Sequence, residues 1–295
     1  MTRINNNLLI IALLISSFCI AQKDMFSEVE HYYADNDGVK IHYVSMGKGP
    51  LIVFVHGFPD FWYTWRNQMQ ELSKTHRVVA LDLRGYNLSD KPKGVENYTY
   101  EHLTKDIKSV IDDTKEESAH IIAHDWGAAI SWNFAANYPE YVNKLVILSI
   151  AHPKAGIKNE KIPVGIRKPS YADYFITKEF RKKLTEDWFS GWVKDSNAKG
   201  YYKKAFRNSD KDAMINYYKA NFPLLENLKN EEFIKRSQMP WKSIKAPVLV
   251  IHGKKDKYAP TEAHNNTWKY IDNEVTITVL PNAGHFIQQD ESDKV

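Results

Sequence analysis

The chain of 295 residues is predicted to fold as an α/β protein, a mostly parallel sheet with helices on both faces and a helical insertion after a central strand. Three observations lead there. Short runs of Val, Ile and Leu, apolar on both faces, recur along the chain as buried parallel strands require. Stretches with helical spacing lie between most of them, the pattern of strand-helix-strand units. The alternation then stops at Pro153, and strand chemistry resumes only at Pro247.

The elements follow in order. Residues 1–21 carry Arg3 and no acid, then an unbroken apolar run at 8–15, then small residues around Ala21, and are read as a secretory signal. The run is well short of the roughly 20 residues that span a bilayer, and no other segment is apolar enough to do so. A mature chain starting near Gln22 is expected to be secreted or periplasmic. It would lose Cys19, the only cysteine. Residues 29–46 read as a strand pair turned at Asn36-Asp37-Gly38. Buried strands are expected at 51–55, 78–81, 120–123, 145–150, 248–251 and 275–280, with helices at 63–72, 100–111 and 128–136. The core thus comprises 22–153 and 241–295. Residues 154–240, rich in Lys, Trp, Tyr and Phe and lacking strand-like runs, form a helical cap.

Composition narrows the function classes. With 43% hydrophobic and 26% charged residues the chain is neither disordered nor collagen-like. A net charge of +4 is too small to imply a nucleic-acid partner. The charge is unevenly spread: between Lys154 and Asp212 there are 15 Lys and Arg against 8 Asp and Glu, so the remainder carries a net −3. The cap therefore has the basic surface.

Three loops after expected strands carry residues that nucleophilic catalysis uses, and in open α/β sheets the carboxyl ends of strands are where ligands bind. Ala123-His124-Asp125-Trp126-Gly127 has small residues two places on either side of Asp125, as a sharp strand-to-helix turn demands. Such a turn lifts Asp125 towards ligand beside a helix N-terminus, which favours its negative charge. Gly253-Lys254-Lys255-Asp256 supplies a second acid, and Ala283-Gly284-His285-Phe286 a histidine. Taken singly, these read as a helix N-cap, a loop cap and a packing histidine. Their chain order, with His56-Gly57-Phe58-Pro59 after an early strand and the run Asp82-Leu83-Arg84-Gly85-Tyr86, resembles the α/β-hydrolase superfamily over nearly the whole mature chain. Members of that superfamily usually continue through a final helix after the segment matching Gln288-Gln289-Asp290, so a chain ending at Val295 is expected to leave part of the sheet uncovered.

The nucleophile position sets the chemistry. No Gly-x-Ser-x-Gly occurs, and Asp125 stands where esterases carry serine. A carboxylate attacking an acyl carbon gives a reactive anhydride, whereas attack on a saturated carbon gives an alkyl ester that water can cleave. Within the superfamily the chain is most similar to epoxide hydrolases, with haloalkane or haloacid dehalogenases as the alternative and a non-catalytic ligand-binding homologue as a third reading. Haloalkane dehalogenases commonly carry Asn where this chain has Phe58, and haloacetate dehalogenases hold their substrate with Arg just after the nucleophile, where 126–136 has none. An epoxide oxygen leaves as a basic alkoxide and needs a proton donor; halide does not. The resemblance implies that the cap supplies two tyrosine hydroxyls, assigned to Tyr171 and Tyr218, with Tyr174 and Tyr217 as the fallback pair. It further implies that Asp256 orients His285 as the base and that the Phe58 and Trp126 backbones form the oxyanion hole. His56, Pro59, Trp126, Tyr174 and Tyr217 are expected to contact substrate. The expected partners are a small apolar epoxide and water. No metal or organic cofactor is needed, and the 11 histidines include no His-Glu-x-x-His spacing.

Overall fold

The computed structural model describes residues 25–155 and 170–295. The expected signal at 1–21 and the first part of the cap at 156–169 lie outside the described residues. A short helix, α1 (Met25–Glu28), leads into β1 (Glu30–Asn36) and β2 (Val39–Met46), which pair antiparallel about a turn where Asp37 and Gly38 both take positive φ. There follow β3 (Leu51–Val55), α2 (Arg66–Leu72), β4 (Arg77–Leu81), α3 (Tyr100–Thr114), β5 (Ala119–His124), α4 (Trp126–Asn137) and β6 (Val142–Leu148). After the cap come β7 (Val248–Gly253), β8 (Val275–Leu280) and the short α11 (Ile287–Asp290), numbered to follow the six helices of the cap.

These strands form one sheet of eight in the order β1-β2-β4-β3-β5-β6-β7-β8, parallel from β4 onward. All five residues of β3 are buried, as its uninterrupted apolar run requires. β8 differs from the buried strand expected there. It is the edge strand, Thr276, Thr278 and Val279 are exposed, and no neighbour lies beyond it among the described residues.

The Asp82 to Gly85 run is a structural knot rather than a reactive one. Asp82 is fully buried and accepts from the Trp62 N–H (3.0 Å), the Asn87 amide (2.8 Å) and His42 Nδ1 (2.7 Å). Arg84, also buried, makes a two-pronged pair with Asp106 at 2.6 and 2.7 Å. Satisfied on both sides, this pair ties the β4 loop to α3.

The cap runs through α5 (Tyr171–Phe175), α6 (Lys178–Lys183), α7 (Glu186–Gly191), α8 (Ser196–Asn208), α9 (Lys211–Asn221) and α10 (Glu231–Gln238). Several N-caps are legible in the chain: Thr177, Thr185, Asp195, Asp210 and Asn230 each accept a backbone N–H of the following first turn. Two seams seat the cap on the core. The Tyr202 hydroxyl donates to the buried Asp60 Oδ1 at 2.7 Å, and the Asp210 N–H donates to the Gly85 carbonyl at 2.9 Å. Among the described residues no helix is long and apolar enough to cross a membrane.

Candidate active site

β5 ends at His124 and α4 starts at Trp126, so Asp125 alone makes the turn between them, with φ 50° and ψ −121°. A non-glycine residue there is strained by about 1–3 kcal/mol. The neighbours explain how the turn is accommodated. A Cβ on Gly127 would collide with the Val55 and His56 carbonyls, and one on Gly57 with the Asp125 side chain. Both glycines are needed for the two loops to meet.

The meeting produces the geometry of the site. The Phe58 N–H donates to Asp125 Oδ1 at 2.7 Å, while Asp125 Oδ2 faces His285 Nε2 at 3.3 Å. On the far side His285 Nδ1 donates to Asp256 Oδ2 at 2.8 Å, and Asp256 Oδ1 accepts from the Tyr258 and Ala259 amides at 2.7 and 3.2 Å. The His285 loop is clamped through its own carbonyl, which accepts from His124 Nε2 (2.8 Å) and the Ser149 hydroxyl (2.7 Å). Gln288 Nε2 lies 3.2 Å from His124 Nδ1, so Nε2 carries the proton that holds the loop.

Electrostatics follow from this arrangement. Burial opposes ionisation of His285, but hydrogen bonds and charge from Asp125 and Asp256 outweigh it and lift its pKa to about 9. Burial would likewise raise both carboxyls, yet the facing His285 holds each below the usual carboxylate range. His124, buried and next to His285, falls to about 4 and stays neutral. At neutral pH the resting site is therefore carboxylate, imidazolium, carboxylate.

Above Asp125 lies a cavity of about 390 Å³, within the range of ligand sites. Its walls come from both sides: Phe58, Pro59 and Phe286 from the core, and Phe175, Trp188 and Trp192 from the cap. Tyr171 and Tyr218 enter the same space from α5 and α9. Burial, reinforced by the Asp125 charge, raises both phenol pKa values, so both hydroxyls keep their protons. Among the described residues no group of three or more His, Cys, Asp or Glu could hold a metal ion.

A family model described as the alpha/beta hydrolase fold matches residues 50–292. The chain belongs to the α/β-hydrolase family. Its relatives place it with the epoxide hydrolase-like members. It is 33% identical over 271 residues to "Epoxide hydrolase 4" of Homo sapiens, covering 88% of this chain and 74% of that one. It is 33% identical to "Epoxide hydrolase 1" of Caenorhabditis elegans over 87% of this chain, but spans just 66% of that protein's length. A crystal structure of Bacillus megaterium epoxide hydrolase in complex with an inhibitor superposes with TM-score 0.76 at 31% identity, covering 89% of this chain and 96% of the other.

Within this α/β-hydrolase several expected substrate contacts fall elsewhere. His56 is buried beneath the site, its Nδ1 donating to the Gly57 carbonyl and its Nε2 accepting from the Leu83 N–H, so it shapes the loop and does not line the cavity. Tyr217 is buried, donating to the Arg84 carbonyl at 2.7 Å. Adjacent residues on a helix point about 100° apart, so Tyr217 and Tyr218 cannot share a face. Tyr174 instead sits with Glu179 and Lys183 on the cap surface. The Trp126 ring backs Tyr218 edge-on at 5.0 Å rather than lining the cavity. In the expected oxyanion hole Phe58 is the backbone donor that reaches Asp125 among the described residues. Trp126 contributes its position in the first turn of α4, where an N–H has no intrahelical acceptor. Missed by sequence reasoning were Phe175 and Tyr258; the latter's place two residues after Asp256 was the available signal.

Proposed function

We propose that the protein hydrolyses epoxides to vicinal diols through an alkyl ester on Asp125. The observation that carries this reading is a strained, ionised Asp125 facing His285 on one side and a cavity containing two protonated tyrosines on the other. The relatives' names support it, as does the crystal structure of a mutant of a Bacillus megaterium epoxide hydrolase complexed with its product (R)-3-[1]naphthyloxy-propane-1,2-diol.

Asp125 Oδ1 is occupied by the Phe58 N–H, which leaves Oδ2 as the attacking oxygen. Oδ2 bonds to a ring carbon, the ring C–O bond breaks, and Tyr171 and Tyr218 both hydrogen-bond the departing oxygen while one of them gives it its proton. Oδ1 then becomes the ester carbonyl, already in its oxyanion site. Esterification removes the negative charge beside His285, so burial lowers its pKa; its proton passes to the tyrosinate left by ring opening, which restores the phenol and leaves a neutral imidazole as a competent base. His285, held by Asp256, takes a proton from water. The hydroxide adds to the ester carbon, the bond from that carbon to the former Oδ2 breaks, and the departing oxygen takes the proton from His285, so the diol leaves with the former Oδ2. The water oxygen remains on Asp125.

That last step is testable. A single turnover in ¹⁸O-water should label Asp125 and leave the diol unlabelled; label in the diol alone would refute the ester route. Incubation with epoxides and haloalkanes, reading diol and halide together, separates this reading from dehalogenation. We also propose export, supported by the composition of residues 1–21. N-terminal sequencing of the exported protein should begin near Gln22.

A further inference from the structure

Two groups of cavity-lining residues reach solvent. One is Asp187 and Gly191 on α7; the other is Tyr171 and Tyr258, with 39% and 48% of their surfaces exposed. The two tyrosines touch, their ring centroids 5.7 Å apart. They are held very differently. The Tyr171 ring also packs on Phe175 and Phe222, which anchor it in the cap. The Tyr258 ring has its aromatic contacts with Tyr171 and with His285, at 5.0 Å. Its backbone is held in place, its N–H donating to Asp256 Oδ1 at 2.7 Å.

We infer that Tyr258 is a specificity-determining residue: its ring, spanning from His285 on the core to Tyr171 on the cap, forms one wall of the cavity mouth and sets the width of epoxide substituent admitted to Asp125. This rests on the epoxide reading. The wall is aromatic and packs on His285, whose Nε2 faces Asp125 Oδ2 at 3.3 Å, so a wide or second substituent on the ring carbons would press against it as the epoxide nears Oδ2. The Asp187 edge differs, since its carboxylate is turned out to Lys203 at 2.7 Å and Gly191 has no side chain to obstruct entry.

The test compares kcat/KM for a narrow terminal epoxide, 1,2-epoxybutane, and a wide disubstituted one, trans-stilbene oxide. Tyr258→Ala should raise the wide-to-narrow ratio on the order of tenfold, the scale at which pocket walls discriminate. Tyr258→Phe, which keeps the ring, should retain the wild-type ratio. Circular dichroism melting would confirm that the alanine variant is folded, as expected for so exposed a side chain. An unchanged ratio in folded, active Tyr258→Ala overturns the proposal. So does an equal rise in Asp187→Ala, which would place the selective opening on α7. Wild-type protein that opens neither epoxide overturns the parent reading instead, and the complete absence of turnover distinguishes that result.

Discussion

The charge on His285 is the most exposed consequence of the site's geometry. Two carboxylates face one buried imidazole, at 3.3 Å from Asp125 and 2.8 Å from Asp256, and together they lift its pKa from 6.5 to about 9. At 1.36 kcal/mol per unit this corresponds to about 3 kcal/mol of preference for the protonated form in the folded protein. The sign follows from linkage. A folded pKa above the unfolded one gives stability that is fully present below pH 6.5 and is lost as pH rises through about 9. Asp125→Asn removes one carboxylate while preserving shape, and it mimics the neutral ester. In that variant burial should prevail over a single remaining partner, and the imidazole should titrate well below its wild-type value. NMR titration of histidine-labelled protein, with urea unfolding at pH 6 and pH 10, measures both effects. The wild type should lose stability between those values, and the variant should lose much less. Identical His285 titration in the two proteins would refute the reasoning, because the Asp125 charge would not then govern when the base becomes available.

The other consequences can be checked singly. Replacing both Tyr171 and Tyr218 with Phe should abolish diol formation while the melting temperature stays within a few degrees; unchanged turnover would remove them as proton donors. His285→Gln should halt the reaction after alkylation, and intact-mass spectrometry should find Asp125 heavier by one substrate. Asp106→Asn leaves the buried Arg84 without its countercharge and should cost about 3–5 kcal/mol in urea unfolding, where a loss below 1 kcal/mol would show that the pair is solvated. Burial raises Asp60 to about 7 despite its hydrogen bonds from Tyr202 and the Phe61 N–H, so the native state is penalised as pH climbs from 3.8 to 7. Asp60→Asn should therefore be the more stable protein above pH 7, by up to about 4 kcal/mol, with the advantage vanishing near pH 4.

Much of the fold is legible because apolar runs such as 51–55 and 248–251 have one physical solution, a strand covered on both faces. The elbow is legible for a related reason. Ala123 and Gly127 bracket Asp125, and the collision that a Cβ on Gly127 would make with the Val55 and His56 carbonyls is a backbone constraint that sequence records directly. Strand exposure is less legible. Val275 to Leu280 looks like a buried run, but its alternating threonines suit the sheet edge where it lies, and position in a sheet is set by topology rather than by local pattern.

Asp125, Asp256 and His285, which the structure brings together, could be picked out because their residue types follow strands in a recognisable order, whereas the groups that hold them could not, because their partners are backbone atoms. His124 and Ser149 both donate to the carbonyl of His285, and any residue can present a carbonyl, so nothing at position 285 announces that it needs two donors. The same blindness misassigned Tyr217, whose hydroxyl serves the Arg84 carbonyl, and His56, which serves Gly57 and Leu83. In each case a polar side chain near the motif had a structural partner that sequence cannot display. These partners nonetheless bear on catalysis. Asp125 is strained, His285 is charged through its contacts with Asp125 and Asp256, and both depend on loops whose positions are held by the bonds that sequence hides. Loss of the His124 clamp would therefore be expected to act through the His285 position and its pKa.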